Sequence, residues 1–101
     1  MIKNTSMQPR RSFIFVPGLR PDMFPKALAS GVDIVCVELE DGIAPKDKAE
    51  ARQKALALFS KPQPNDGVER IVRINSMREK FGIEDVNAIL SAKTPPPALM
   101  M

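Results

Sequence analysis

Short β-rich runs alternate with helical stretches along the chain, and this alternation restricts the possible folds more than any other feature. Apolar, β-branched runs over residues 12–18, 33–41 and 69–75 predict three strands, and residues 98–101 have the composition of a fourth. The stretches between them carry apolar residues at helical spacing, and the connections are short. The order β-α-β-α-β-α-β is typical of a parallel sheet built from βαβ units.

The helical stretches have recognisable starts, ends and buried faces. The first starts at about Asp22, a residue type favoured as N-cap, and stops at Gly31. The second, over residues 46–60, is the most regular, and Glu50 precedes Lys54 by four residues, the spacing of a helical ion pair. The positions predicted to be buried are Phe24, Ala27 and Leu28 in the first helix, Ala51, Ala55, Leu58 and Phe59 in the second, and Ile83, Val86, Ile89 and Leu90 in the third.

The number of strands indicates an incomplete barrel. A TIM (β/α)8 barrel typically needs about 250 residues, whereas this chain has 101. An open parallel sheet also leaves unpaired edges. We therefore predict an α/β fold in which residues 12–101 are the N-terminal β-α-β-α-β-α-β portion of a truncated TIM barrel. Residues 1–11 are predicted to be a flexible basic arm.

The charge distribution argues against a nucleic-acid partner. The chain has 15 Lys and Arg and 12 Asp and Glu, a net charge of +3. Lys3, Arg10 and Arg11 supply the whole excess from the arm, whereas a nucleic-acid binder needs bases clustered on a folded surface. No apolar run approaches the ~20 residues needed to span a membrane, and the first eleven residues lack a secretory signal. A cytoplasmic protein is expected.

The chemistry available to the chain is limited because it contains no His, the commonest general base and metal ligand. In parallel α/β folds, site residues gather at the C-terminal ends of strands. Alternation along the third strand predicts that Arg73 points into the barrel mouth with Ile71 and Asn75. Val72 and Ile74 would then face the helices.

Arg73 needs a charged partner in the mouth, because a buried unpaired charge is unfavourable. Glu38 or Glu40, at the end of the neighbouring strand, could supply it. Arg73 then either binds a substrate carboxylate, held by Glu40 or Asp41, or forms an ion pair that only fills the mouth, and the spacing does not separate the two. Glu38, Glu40 and Asp41 could also bind Mg²⁺, although capping and charge pairing are commoner roles for such a cluster.

Two bases and a thiol complete the candidates. Arg20 and Lys26, near the first helix, could hold phosphate groups as point charges, although isolated bases of this kind are more often solvated. Cys36 lies in an apolar strand and is expected to belong to the core, because the sequence places no group nearby that would lower its pKa.

Several motifs in register over about residues 10–101 resemble the citrate lyase β-subunit-like family, also called the HpcH/HpaI aldolase/citrate lyase family. Each motif by itself is short, but their order along the chain is distinctive. The motifs lie at residues 10–18, 20–22, 26–33, 39–45 with Lys48, 51–52, and 72–75.

The resemblance implies a TIM-barrel, Mg²⁺-dependent carbon–carbon lyase that cleaves or forms hydroxyacyl-CoA thioesters such as citryl-CoA, malyl-CoA and citramalyl-CoA. It implies that Phe15 and Lys26 lie in the CoA-binding region and that Arg73 contacts the keto-acid part of the substrate. Glu40 and Asp41 would line the mouth beside Arg73 and orient its side chain. The implied partners are small molecules, and the full-length form would be a homo-oligomer.

Two departures from the family pattern bear on activity. The family commonly has Asp where this chain has Glu38. The metal-binding Glu and Asp of the family lie on later strands, beyond Met101, so we expect no catalytic residue and no metal ligand within the chain, and no activity from it in isolation. The alternatives are a non-catalytic remnant or binding subunit, and a CoA-independent 2-keto-acid aldolase of the same superfamily.

Overall fold

A computed structural model describes residues 12–60, 63–64 and 66–100. Within these ranges the strands, all parallel and in chain order, are β1 (Phe13–Pro17), β2 (Ile34–Glu38), β3 (Glu69–Arg73) and β4 (Leu99–Met100). The α-helices between them are α1 (Phe24–Leu28), α2 (Lys48–Leu58) and α3 (Lys80–Ser91). The predicted arm at 1–11 and residues 61, 62, 65 and 101 lie outside the described residues.

The sheet order equals the chain order, so each crossover leads to the adjacent strand. Because βαβ crossovers are right-handed, the helices then lie on one face of the sheet. Burial agrees with this: Val16, Val37 and Val72 are at most 1% exposed, whereas Phe15 on the other face is 47% exposed. A parallel sheet with its helices all on one face is found in consecutive βα units of a (β/α)8 barrel. The predicted α/β class and strand order are confirmed.

The core fills the space between the helices and the covered face of the sheet. Phe24, at the start of α1, packs edge-on against Phe59 just after α2, with ring centroids 5.8 Å apart. The small side chains of Ala51 and Ala55 are buried on the inner face of α2. The predicted inner faces of α1 and α2 are thus confirmed, as is the ion pair between Glu50 and Lys54, which measures 2.7 Å.

The first helix begins differently from the prediction. A 3₁₀ turn over Pro21–Met23 precedes α1, and Asp22 lies inside that turn. Its carboxylate accepts hydrogen bonds of 3.1 and 3.0 Å from Arg20. The prediction of Asp22 as N-cap was wrong, because a guanidinium two residues away competes for the carboxylate. Gly31, with φ of 90°, adopts the left-handed conformation that glycine favours as the chain turns towards β2.

The third helix buries only part of the predicted face. Ile89 is buried and Val86 packs partly buried against the core, as predicted. Ile83 and Leu90 are exposed, Leu90 to 78%, and their prediction as core was wrong. Gly82 and Asp85 are also buried, and with Ile89 they have the spacing i, i+3 and i+7. Gly82 allows α3 to approach the chain that follows β3, and Asp85 is drawn inwards by hydrogen bonds. None of the helices in the described ranges has the length and apolar character needed to cross a membrane.

An ion pair between a buried arginine and an exposed aspartate lies near the N-terminal end of β3. Arg70, which is 4% exposed, donates from two nitrogens to the two carboxylate oxygens of Asp66, both at 2.9 Å. This pairing, reinforced by the backbone N–H of Val68, lowers the pKa of Asp66 to about 2. An unfolded Asp titrates near pH ~3.9. The pair therefore stabilises the fold fully above that pH, and its contribution is lost as the pH falls towards the folded pKa.

We expect Asp66→Asn to flatten the dependence of the unfolding free energy on pH between about pH 4 and pH 2, because the substituted side chain binds no proton in either state. Urea unfolding midpoints measured across that range for both proteins check this. A slope equal to that of the unsubstituted chain would contradict the assignment of the low pKa to Asp66.

Candidate functional site

The site is built where β2 and β3 end. Their register places Glu38 beside Arg73. β2 ends at Glu38 rather than at residue 41 as predicted, because Glu38 Oε2 accepts the backbone N–H groups of Glu40 at 2.8 Å and Asp41 at 3.0 Å. These two bonds turn the chain sharply and bring the carboxylates of Glu40 and Asp41 back over the end of the sheet.

Arg73 is surrounded by three carboxylates. Its Nη1 donates to Glu38 Oε1 and to Asp41 Oδ2, both at 3.2 Å, and its Nη2 lies 2.9 Å from Glu40 Oε1. The contact with Glu40 is an ion pair that lacks hydrogen-bond geometry. The negative charge of Glu38, with smaller contributions from Glu40 and Asp41, raises the pKa of Arg73. The prediction that Glu38 or Glu40 pairs with Arg73 is confirmed for both.

Two grooves meet at Phe15. The mouth groove, with a volume of about 310 Å³, runs over the strand ends, and its lining includes Phe15, Asp41 and Arg73. The α1 groove, of about 160 Å³, runs beside β1 and includes Phe15 and Lys26. The structure thus brings Phe15 together with Arg73 on one side and with Lys26 on the other. Arg20 pairs with its neighbour Asp22 instead.

Asn75 does not lie beside Arg73, so that prediction was wrong. β3 ends at Arg73, and regular alternation of side chains does not extend past the end of a strand. The Asn75 side chain turns towards the helices, where its Nδ2 donates to Asp85 Oδ2 at 2.7 Å and its Oδ1 accepts from Lys48 Nζ at 2.7 Å. It is almost fully buried there.

Lys48, Arg52, Asn75 and Asp85 form what we call the buried polar network. Lys48 Nζ donates to the backbone carbonyl of Glu40 at 2.8 Å, and Arg52 Nε donates to Asp85 Oδ1 at 2.8 Å. The backbone N–H of Asn75 donates to Asp85 Oδ2 at 3.0 Å. The network therefore links α2 and α3 to the turn that carries two of the three carboxylate partners of Arg73.

Sequence reasoning assigned no role to this network, although signals for it were present. Lys48, Arg52 and Asn75 all belong to the motifs that carry the family resemblance. Asp85 stands at the same helical spacing as the buried Gly82 and Ile89, a pattern that places a carboxylate on the inner face of α3.

Cys36 belongs to the core, as predicted. It is fully buried in β2, between Phe15 and Ile71 of the neighbouring strands. Burial, followed by the negative charge of Glu38, raises the pKa of the Cys36 thiol to about 11. The thiol stays protonated at neutral pH and is not a nucleophile.

The carboxylates of the site do not fit a metal ion. Among the residues that the structure describes, no three His, Cys, Asp or Glu side chains are arranged to hold one. Glu38, Glu40 and Asp41 all face the Arg73 guanidinium, and the second oxygen of Glu38 is already engaged by two backbone N–H groups. Their arrangement serves charge pairing and turn formation.

Comparisons with known proteins show which family and fold this chain resembles. Residues 11–96 match the family model described as HpcH/HpaI aldolase/citrate lyase. The chain is 39% identical over 84 residues to the L-malyl-CoA/beta-methylmalyl-CoA lyase of Cereibacter sphaeroides, a match covering 82% of this chain and 26% of that protein. It is also similar to the crystal structure of CitE from Mycobacterium tuberculosis in complex with magnesium and acetate, with 31% identity and a TM-score of 0.71 over 90% of this chain and 35% of the other.

A second CitE structure, in complex with magnesium, acetoacetate and coenzyme A, matches with 30% identity and a TM-score of 0.66 over 83% of this chain and 29% of that chain. The chain thus spans about a quarter to a third of the length of these relatives. The range matched by the family model includes β1 to β3 and α1 to α3. The chain belongs to the HpcH/HpaI aldolase/citrate lyase family.

Proposed function

We propose that the residues lining the mouth groove and the α1 groove form the substrate-binding part of a carbon–carbon lyase. The enzyme would act on a hydroxyacyl-CoA such as citryl-CoA or malyl-CoA. The observation that carries the proposal is that Phe15 belongs to both grooves. A ligand with a carboxylate at one end and phosphates at the other can lie across Phe15, with its acid group at Arg73 and its phosphates near Lys26. Family membership supports the same chemistry, since one relative is a malyl-CoA lyase and CitE binds acetoacetate together with coenzyme A.

Each side chain has a binding role suited to its chemistry. The planar guanidinium of Arg73 can hold a carboxylate with two parallel hydrogen bonds. Glu38 orients Arg73: its Oε1 accepts from the guanidinium, and its Oε2 is held in place by the backbone N–H of Glu40. The exposed ring of Phe15 offers an apolar surface to the pantetheine arm or the base of CoA, and Lys26 offers a point charge to a phosphate. These residues bind and orient the substrate during aldol- or Claisen-type cleavage.

Dependence on Mg²⁺ is part of the proposal and is supported by the magnesium bound to CitE. Because the described residues do not fit the ion, its ligands would have to come from other groups of the enzyme. We therefore expect no lyase turnover from this chain assayed by itself, and ligand binding becomes the informative measurement. The homo-oligomeric state and the cytoplasmic location stay predictions.

Calorimetric titration of the purified chain with CoA, and separately with acetoacetate, tests the proposal. We expect Arg73→Ala to weaken acetoacetate binding about tenfold or more, because a hydrogen-bonded charge partner is lost. We expect Lys26→Ala to weaken CoA binding about threefold, the effect of one exposed charge. Each substitution should leave the other ligand nearly unaffected, since the two side chains lie in different grooves.

Arg78→Ala is the matched control, because Arg78 is an exposed base outside both grooves. Equal effects of Arg78→Ala and Arg73→Ala would contradict the role of Arg73. If the chain bound acetoacetate but failed to bind CoA, a CoA-independent 2-keto-acid aldolase would be favoured instead. Binding of neither ligand would overturn the proposal in favour of a non-catalytic remnant or binding subunit.

A further inference from the structure

The mouth groove has more negative than positive charge. One guanidinium faces three carboxylates, those of Glu38, Glu40 and Asp41, and all three lie within 3.2 Å of Arg73 nitrogens. A substrate carboxylate that approaches Arg73 therefore meets a cation whose Nη1 is already shared between two acceptors. For this carboxylate to bind Arg73 through Nη1, one of these two acceptors has to leave.

The acceptors differ in how firmly they are held. The Glu38 side chain is 8% exposed, and its Oε2 accepts two backbone N–H groups. Glu40 Oε1 is fully buried against Arg73. The Asp41 side chain is 73% exposed, and within the described part of the chain its hydrogen bonding is confined to Arg73. Asp41 is thus the partner that is displaced most easily.

The space beside Asp41 is open. Gly42 has φ of 74°, and apart from its chain neighbours no atom of the described residues lies within 4 Å of a Cβ built there. Both Asp41 and Gly42 line the mouth groove. Rotation of the Asp41 carboxylate into solvent would free an Nη1 hydrogen of Arg73 that faces the groove, while Glu38 continues to hold the guanidinium.

We propose that Asp41 occupies the position of the substrate carboxylate on Arg73 and is displaced when substrate binds. This inference rests on the proposed function, since it takes Arg73 as the carboxylate-binding group. It makes Asp41 a specificity-determining residue: a ligand has to offer a carboxylate that replaces Asp41 on the guanidinium, and a neutral ligand of the same shape leaves Asp41 in place.

Titration of Asp41→Asn with acetoacetate tests the proposal. The substitution removes the competing charge but keeps the side-chain size, so we expect acetoacetate to bind about two- to fivefold more tightly than to the unsubstituted chain, the range for an exposed ion pair. Acetoacetamide, a neutral analogue of nearly the same shape, should gain no affinity. Asp22→Asn is the matched control, because Asp22 is also an exposed partner of an Arg, with a side chain 62% exposed, and lies outside the lining of both grooves.

The possible outcomes separate this inference from the proposed function. If Arg73→Ala binds acetoacetate as well as the unsubstituted chain, the role of Arg73 fails and the displacement of Asp41 fails with it. If Arg73→Ala loses binding while Asp41→Asn gains none, only the displacement is overturned. An equal gain in Asp22→Asn, or a gain for acetoacetamide, would also overturn it, because general electrostatics or altered shape would then explain the result.

Discussion

Replacement of Asp85 by alanine is expected to lower the free energy of unfolding by about 3–5 kcal/mol, the range for removing one partner of a buried ion pair. Asp85 is fully buried and accepts hydrogen bonds from Arg52 Nε at 2.8 Å, Asn75 Nδ2 at 2.7 Å and the Asn75 backbone N–H at 3.0 Å. Without the carboxylate, these donors lose their acceptor inside the fold. Thermal or urea unfolding of both proteins measures the difference.

Glu84→Ala is the control for this experiment. Glu84 precedes Asp85 on α3 and contacts the same Arg52, but at 3.4 Å and with a side chain that is 41% exposed. An exposed pair of this kind contributes about 0–1 kcal/mol. We expect Asp85→Ala to be several times more destabilising than Glu84→Ala, and similar effects would contradict the assignment of Asp85 as the centre of the buried polar network.

The network also predicts a functional consequence of losing Asp85. Asn75 holds Lys48, and Lys48 holds the backbone carbonyl of Glu40 at 2.8 Å. When Asp85 is absent, Asn75 loses the group that orients it, and the turn beside Arg73 is less well fixed. At a temperature where both variants are folded, acetoacetate should therefore bind more weakly to Asp85→Ala than to Glu84→Ala.

Gly82→Ala is expected to destabilise the fold by at least about 2 kcal/mol, because inserted atoms in a packed region force the surroundings to shift. In an exposed helix, the same substitution stabilises by about 1 kcal/mol through helix propensity. Here the added Cβ would overlap the backbone carbonyl of Ser76 and lie 2.6 Å from the carbonyl oxygen of Asn75. The overlap involves backbone atoms that cannot rotate away. The destabilisation caused by the clash is therefore larger than the stabilisation from the higher helix propensity of alanine.

Asn87→Ala serves as the control on the same helix, because Asn87 is exposed and its replacement changes propensity without a clash. We expect this variant to unfold at the same urea concentration as the unsubstituted chain or slightly above it. If Gly82→Ala were as stable as Asn87→Ala, the close approach of α3 to the chain after β3 would be disproved.

The strand ends could be predicted from sequence because parallel strands in chain order place their C-terminal residues side by side. This rule predicts that Arg73 lies next to the acidic end of the neighbouring strand, and the register places Glu38 beside it. The rule does not extend past the last ladder hydrogen bonds of a strand. Asn75 therefore lies between the helices, although alternation placed it beside Arg73.

The inner face of α3 shows a second limit of sequence reasoning. Apolar spacing favoured Ile83 and Leu90, yet both are exposed, and Asp85 is buried in their place. A hydrophobic pattern ranks positions by the free energy of transferring their side chains out of water. A carboxylate, in contrast, is buried where several hydrogen-bond donors converge on it. Those donors come from α2 and from the chain after β3, distant in sequence, so a local pattern does not reveal them.

By itself, the sequence determined the α/β class, the order of strands and helices, the burial of Cys36 and the pairing of Arg73 with acidic neighbours, because these follow from periodicity and from the geometry of parallel strands. The tertiary structure alone decided that Phe15 joins two grooves, that Glu38, Glu40 and Asp41 all contact Arg73 together, and that a buried polar network supports the turn beside them. The contacts of Arg73 and the network depend on which of several competing partners comes within hydrogen-bond distance, and the grooves depend on how the helices pack beside β1. That competition is resolved only when the helices pack against the sheet.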